Sequence, residues 1–378
     1  MQKRPDYILL GTILALIIFG VIILASASAP ISQEKFGTTY YFLKHQLIFG
    51  FLPGLALAFL VFRTRLDTLK KWAPLLLLIN LILLTMVFLP KIGLETGGAN
   101  RWISAGPISF QPSEFLKFTF ILYLAAWLSS RTEKVFSQTP KPQRRVKKRI
   151  NPLLSFIAFL AVTGIISLLL IFQPDISTLG IIVFVAALMY FSANTPLWHN
   201  LLIILIGTGG LFALIKLAPY RLARILVFFK PGTDPMGIGY QIKQSLIAVG
   251  SGGIFGLGLG MSCQRLGLLP QSISDSIFSI IAEETGFIGS LILIFLFLTF
   301  LWRGFKIGKR TDDKFSQLAA VGISSWIVIQ AFINISSMIG ILPLTGIPLP
   351  FISYGGSSMI AELVGAGILL NISKERRL

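Results

Sequence analysis

The chain has 378 residues, of which 54% are hydrophobic and only 13% charged. Soluble globular chains carry roughly 25% charged residues, so an ordinary soluble enzyme, a disordered chain and a disulfide scaffold are excluded, and an integral membrane protein is indicated. The formal net charge is +18, and with one cysteine, Cys263, and two histidines there is neither an intrachain disulfide nor the makings of a His/Cys metal cage.

A spanning helix needs about 20 mostly apolar residues. Ten segments meet that length, at 7–26, 45–62, 73–89, 113–130, 152–171, 176–193, 198–217, 277–302, 315–342 and 353–371. They predict an all-α polytopic membrane protein. Lys3-Arg4 and Ala25-Ser26-Ala27 around the first segment imitate a signal peptide. The apolar run Ile8 to Leu24 exceeds the usual core of about 7–15 residues, so an uncleaved helix is expected. The turn Gln173-Pro174-Asp175 separates the fifth and sixth spans.

The basic residues orient the chain. With the N-terminus in the cytoplasm, 22 of the 33 Lys and Arg fall on inside segments, among them eight in 131–149 and five in 303–314. The positive-inside rule thus absorbs most of the excess, and nucleic-acid binding loses its support. The run Arg144-Arg145-Val146-Lys147-Lys148-Arg149 reads as a topology determinant, with attraction to lipid phosphate as the lesser alternative. Residues 240–262 are apolar enough for another span, but they carry six glycines, and a crossing there would put 303–314 and the C-terminus outside. The expectation is one transmembrane domain over 1–378, both termini cytoplasmic, with 218–276 as a long extracytoplasmic loop between helices 7 and 8. Its apolar content argues that it packs on the membrane face or re-enters it.

Acidic residues at membrane depth are functional candidates. Glu114 and Lys117 lie three apart on one helix face and can pair, leaving a structural ion pair and substrate contact about equal. Asp275 precedes the eighth span, where a helix dipole alone could explain it. It also follows a glycine-rich loop carrying Lys243 and Arg265, which suits an anionic lipid headgroup. Capping or inter-helix hydrogen bonds are favoured for Glu283 and Glu284. Glu362 suits a bond between helices. Turn bonding accounts for Asp175. The proline- and glycine-rich stretch 343–358 reads as a rigid outer turn or a cavity wall. No P-loop, HExxH or GxSxG pattern occurs.

Several spaced motifs together resemble the SEDS family, the polytopic peptidoglycan polymerases of FtsW and RodA type. They are Arg101-Trp102 through Gln111-Pro112-Ser113-Glu114, Gln173-Pro174-Asp175, Gly239-Tyr240-Gln241 with Gln244-Ser245, Leu269-Pro270 to Asp275, Glu283-Glu284, and Pro348-Leu349-Pro350-Phe351 with Ser353-Tyr354-Gly355-Gly356-Ser357-Ser358. The run Gln244 to Ala248 and the Gly-Ile-Pro-Leu-Pro-Phe ending are closer to the division members. The resemblance implies a bacterial cytoplasmic-membrane enzyme with an outward-facing site that polymerises lipid II, and Asp275 as the essential aspartate. One departure stands out: the family commonly reads Asp-Phe-Ile-Phe, and this chain has Asp275-Ser276-Ile277-Phe278.

On that reading Asp275 deprotonates the acceptor hydroxyl, and the linkage inverts as pyrophosphate leaves. Arg101, Arg221, Arg224, Lys243 and Arg265, or a bound divalent cation (Mg or Mn), would offset its charge. Substrate contact is expected from Arg101, Glu114, Lys117, Arg224, Lys243, Gln244 and Ser245. The resemblance also implies a class B penicillin-binding transpeptidase as partner, besides other division-complex membrane proteins and membrane lipids. The alternatives are a flippase for a lipid-linked sugar and a scaffold that recruits the transpeptidase. No inverted repeat of broken helices supports transport.

Overall fold

The computed structural model describes residues 4–374, except 91, 97–98, 106–107, 137–151, 194, 217–218, 231, 233 and 235. The basic run at 144–149, Lys3, Arg376 and Arg377 lie outside the described residues.

Every predicted span coincides with a helix. In order these are α1 (Tyr7–Phe36), the continuous unit of α2 (Tyr41–Gln46), a π-helical stretch (Leu47–Phe51) and α3 (Leu52–Arg63), then α4 (Leu66–Met86), α5 (Pro112–Phe136), α6 (Pro152–Phe172), α7 (Ile176–Ser192) and α8 (Leu197–Lys216). Two loop helices follow, α9 (Pro219–Phe229) and α10 (Ile238–Ser251), and then α11 (Ile277–Arg310), α12 (Lys314–Met338) and α13 (Gly356–Ile372). Seven of the described helices are long and apolar enough to cross a membrane, and α7 and α13 are shorter apolar helices. Helix α12 sits at the centre: Ala319, Ile323, Trp326 and Ile327 are fully buried. The helices alternate in direction, so Asp6, Arg303 and Ser373 meet at one end of the bundle. There Asp6 caps α1, pairs with Arg303 and donates its backbone N–H to the Ser373 hydroxyl.

One element corrects the all-α expectation. Between α4 and α5 the chain forms a three-stranded antiparallel sheet, β1 (Gly93–Thr96), β2 (Ala99–Ala105) and β3 (Ile108–Phe110), in the order β1-β2-β3. The sequence signals are the turn dipeptides Gly97-Gly98 and Gly106-Pro107 around a short alternating run. Beside apolar spans several times longer, such a run carries little weight.

The glycine-rich segment packs into the bundle against α11. Helix α11 is broken at Gly286, whose φ is 68°. Residues 253–258 thread against the break. Leu257 and Gly258 donate to the carbonyls of Glu283 and Glu284 at 2.9 and 3.0 Å. Phe287 and Ile288 donate back to Gly253 and Ile254 at 2.9 and 3.1 Å. Irregular backbone within an apolar bundle survives because the loop and the broken helix satisfy each other. The approach is too close for side chains: a Cβ on Gly252 would lie 1.9 Å from the Ala282 oxygen.

Candidate active site

At the end of the bundle opposite Asp6, the connecting turns line a cavity of about 1170 Å³. Asp275, Arg224, Arg221, Arg101 and Glu114 all line it, with His45 and Tyr354 on the α2–α13 side.

The backbone around Asp275 is fixed from several directions. The buried Asn334 of α12 donates through Nδ2 to the carbonyls of Asp275 and Ile347, both at 2.7 Å. Ser353 Oγ donates to the Ser274 carbonyl at 2.6 Å, and Tyr354 N–H to the Ile273 carbonyl at 2.8 Å. Gln241 of α10 donates to the buried Ser276 hydroxyl at 2.9 Å. The turn opens at Gln271, which is left-handed at φ 54°. A non-glycine residue adopts that conformation at a cost of about 1–2 kcal/mol, so the surrounding contacts must hold it. Burial pushes the Asp275 carboxyl above the usual carboxylate range, and the Ser274 hydroxyl and the Arg224 charge pull back against it.

The opposite rim is tied as firmly. Arg101 donates from Nε and Nη2 to the carbonyls of Gln173 and Pro174, at 3.1 and 2.5 Å, which docks the sheet on the α6–α7 turn. Asp175 caps α7 and accepts from Ser113 at 2.9 Å. Beneath them, buried Lys117 pairs with Glu114 at 2.7 Å and donates to Gln330 at 2.9 Å. Gln330 in turn donates to the Pro348 carbonyl and to Glu362. Glu362 accepts from the N–H of Phe351, itself left-handed at φ 63°. This chain of polar groups supports the 347–351 turn from below.

Comparison with known proteins now decides the class. The family profile described as "Cell cycle protein", that of FtsW, RodA and SpoVE, matches residues 7–378. Stage V sporulation protein E of Bacillus subtilis (strain 168) is 39% identical over 376 residues, covering 100% of this chain and 99% of that protein. The probable peptidoglycan glycosyltransferase FtsW of Nitrosococcus halophilus (strain Nc4) is 38% identical over 377 residues, covering 99% and 93%. A chain solved in work on the structural coordination of polymerization and crosslinking by a peptidoglycan synthase complex superposes with a TM-score of 0.73 at 28% identity, covering 98% of each chain. The chain belongs to the FtsW/RodA/SpoVE family.

Of the residues that sequence singles out in this family member, the structure brings Asp275, Arg101, Arg224 and Glu114 to one cavity. Lys117 lies behind Glu114 and not on the cavity wall. Lys243, Gln244 and Ser245 are not brought there. On α10, Lys243 is exposed, Gln244 half-buried, and Ser245 buried with its hydroxyl 3.6 Å from Met338 Sδ. The residue of α10 that reaches the Asp275 segment is Gln241. Arg265 also lies off the cavity wall, donating to the Ser26 and Gly260 carbonyls. Glu283 and Glu284 are structural, as expected: Glu283 accepts from Ser262 and Cys263, and Glu284 from Ser26 of α1. Sequence reasoning passed over Asn334 and Gln330. Their signal is two amides four residues apart in an apolar helix, on one face.

Proposed function

We propose that this protein is a peptidoglycan glycosyltransferase that polymerises lipid II at the outer face of a bacterial cytoplasmic membrane, in cell division. Asp275 is the base. It takes the proton of the acceptor sugar's 4-hydroxyl as that oxygen attacks the anomeric carbon of the donor. The glycosyl–phosphate bond breaks on the opposite face, so the configuration inverts and undecaprenyl pyrophosphate departs. Pyrophosphate leaves without a proton, so one base suffices, but its charge must be offset. Arg224 is placed to do so, with Arg101 and Arg221 along the same wall. A divalent cation could share that work, held by Asp275 and the substrate's phosphates, since such ions are bound through one or two carboxylates and phosphate oxygens. No step here is routed through it.

The observation that carries this reading is a half-buried carboxylate whose pKa burial raises, beside an arginine in a large outer cavity. A general base works best with a pKa drawn toward the operating pH. The remaining assignments follow from charge and from the relatives. Ten helices cross the membrane as one domain, both termini are cytoplasmic, and 218–276 lies outside with its glycine segment re-entrant. Glu114 and Lys117 shape the cavity floor and Arg101 its rim, and α10 supports the Asp275 segment through Gln241. The partner is a class B penicillin-binding transpeptidase, in line with the crosslinking complex to which the fold is similar.

The test is polymerisation of labelled lipid II by wild type and Asp275→Asn, each co-purified with a transpeptidase. Glycan strands from wild type alone, at equal folding and partner binding, are expected. Equal product from both proteins sinks the base assignment.

A further inference from the structure

Polymerisation requires two lipid-linked sugars in the cavity at once, and Asp275 with Arg224 accounts for one end of it. The other end is built differently. Its wall comes from the end of α1, from α2 with its π-helical stretch, and from the start of α13. It presents Lys35, Phe42, His45, Phe49 and Tyr354. His45 Nδ1 and Tyr354 Oη are 2.9 Å apart. The Phe42 ring meets Tyr354 edge-on at 5.2 Å, and the Phe49 ring lies 4.8 Å from His45. The wall is rigid. Gln46 accepts from Gly355 N–H at 3.0 Å and donates to the Ser353 carbonyl at 3.3 Å. Gly50, within the π-helical stretch, packs so closely on α13 that a Cβ there would lie 3.2 Å from Gly356 Cα. Single π turns inside helices are frequent at functional sites.

The wall starts at the base and runs away from it. The Tyr354 backbone is bonded to Ile273, two residues before Asp275. Its side chain bonds to His45, so the imidazole and the base line one cavity from separate elements. An acceptor has two ends to hold, its 4-hydroxyl and, two sugars away, its own pyrophosphate. The donor's pyrophosphate, by contrast, sits at the reacting carbon, beside Arg224.

We infer that the His45–Tyr354 wall is the acceptor subsite, with His45 and Lys35 binding the acceptor's pyrophosphate and the Phe42 and Tyr354 rings lying along its sugars. The assignment rests on the glycosyl-transfer reading above. When the phenol donates to Nδ1, the imidazole carries its proton on Nε2, a donor suited to a phosphate oxygen. Lys35 is an exposed ammonium at the rim. Phe49 and Ile360 continue the wall in apolar side chains, which suits the prenyl tail.

Two labelled probes separate the ends of the cavity. One is a lipid II analogue with a non-departing anomeric phosphonate, which can accept but not donate. The other lacks the 4-hydroxyl and can donate but not accept. The concentration dependence of each probe's incorporation with unlabelled lipid II is measured for the full chain in nanodiscs, for wild type, His45→Gln, Lys35→Ala and Tyr354→Phe, with thermal unfolding as the folding control. His45→Gln and Lys35→Ala are expected to weaken the acceptor-only probe about 10-fold to 100-fold, the worth of one charge-assisted hydrogen bond. Both should leave the donor-only probe within about 2-fold, a change too small to count as a lost hydrogen bond. Tyr354→Phe keeps the ring and loses only the hydroxyl, so a folded variant with the same selective loss supports the tautomer argument. Equal weakening of both probes, or weakening of the donor-only probe alone, overturns the subsite while leaving glycosyl transfer intact. A wild type that incorporates neither probe and makes no glycan overturns the glycosyl-transfer reading, and the subsite with it.

Discussion

Asn334 offers the sharpest test of how Asp275, the proposed base, is held. Its amide donates to the Asp275 and Ile347 carbonyls, both at 2.7 Å, from a fully buried position on α12. Asn334→Ala removes both donors at once. A buried carbonyl left without its partner costs about 1–3 kcal/mol, so the pair is worth about 2–6 kcal/mol, before any cavity term. The larger consequence is positional. The 271–276 segment loses its tie to the bundle, and a displacement of about 1 Å at a reacting group can cost about 100-fold in rate. The expectation is a fall in kcat of that order, with KM changed little, because the cavity walls at Arg101 and His45 are held by other bonds. Asn334→Asp keeps the size but sets a carboxylate against two carbonyl oxygens, so it should be at least as damaging. Ser337→Ala is the control: its hydroxyl bonds only to the carbonyl of Asn334 within the same helix, and kcat should not move. Polymerisation kinetics with labelled lipid II and thermal unfolding read the two effects separately. Full kcat in Asn334→Ala, or wild-type behaviour in Asn334→Asp, would refute the reasoning.

The other two predictions concern the broken helix and the acidity of the site. Gly286→Ala places a Cβ 2.3 Å from the Gly256 nitrogen at a backbone φ of +68°, so it should cost about 3–6 kcal/mol through lost loop–helix bonds and left-handed strain. Gly250→Ala, facing open space within α10, should be neutral or stabilising by up to about 1 kcal/mol, and thermal unfolding compares the two. If Asp275 acts ionised, as the proposed mechanism requires, burial that raises its pKa should place the acid limb of the kcat/KM profile above the ordinary carboxylate range. Arg224→Gln removes a charge that lowers this pKa, so the limb should move to higher pH; a shift the other way contradicts the assignment. The linkage has the same sign: a carboxyl raised in the folded state favours folding at low pH, and that contribution is lost as pH rises through the folded value. Asp275→Asn should therefore be slightly more stable than wild type near neutral pH.

The sequence carries the helices because twenty apolar residues admit few other structures at membrane depth. The irregular backbone at 253–258 is legible for a related reason: the glycines after Ser251 make a poor helix, and irregular backbone in an apolar stretch demands a protein partner. What composition does not carry is pairing. Nothing in Ala99–Ala105 competes with the flanking spans, so the sheet that docks Arg101 on the Gln173–Pro174 turn was not foreseen. Nothing local in α10 says that Gln241, rather than Gln244, turns toward the Asp275 segment. Its partner does explain the departure at 276. In a fully buried position, a serine hydroxyl engaged by Gln241 occupies the place where the family commonly has an aromatic ring.

The buried acids argue for Asp275 by what each of them already holds. Asp6 pairs with Arg303, and Glu114 with Lys117. Asp175 takes a hydroxyl and caps a helix, and Glu362 takes a backbone N–H from a strained turn. Glu283 and Glu284 secure the glycine-rich loop and α1 to the broken helix. Each charge or lone pair is spent on structure, and removing any of these groups would strand a buried partner. The Asp275 carboxylate has a neighbouring hydroxyl and an arginine charge, while the bonds that fix its segment all go to backbone atoms and to Ser276. The fold thus fixes the segment through its backbone and Ser276, and leaves to the carboxylate the Ser274 hydroxyl, its own backbone N–H and the Arg224 charge. That separation of positioning from chemistry is what a general base requires, and it is why Asp275→Asn should change rate without disturbing structure.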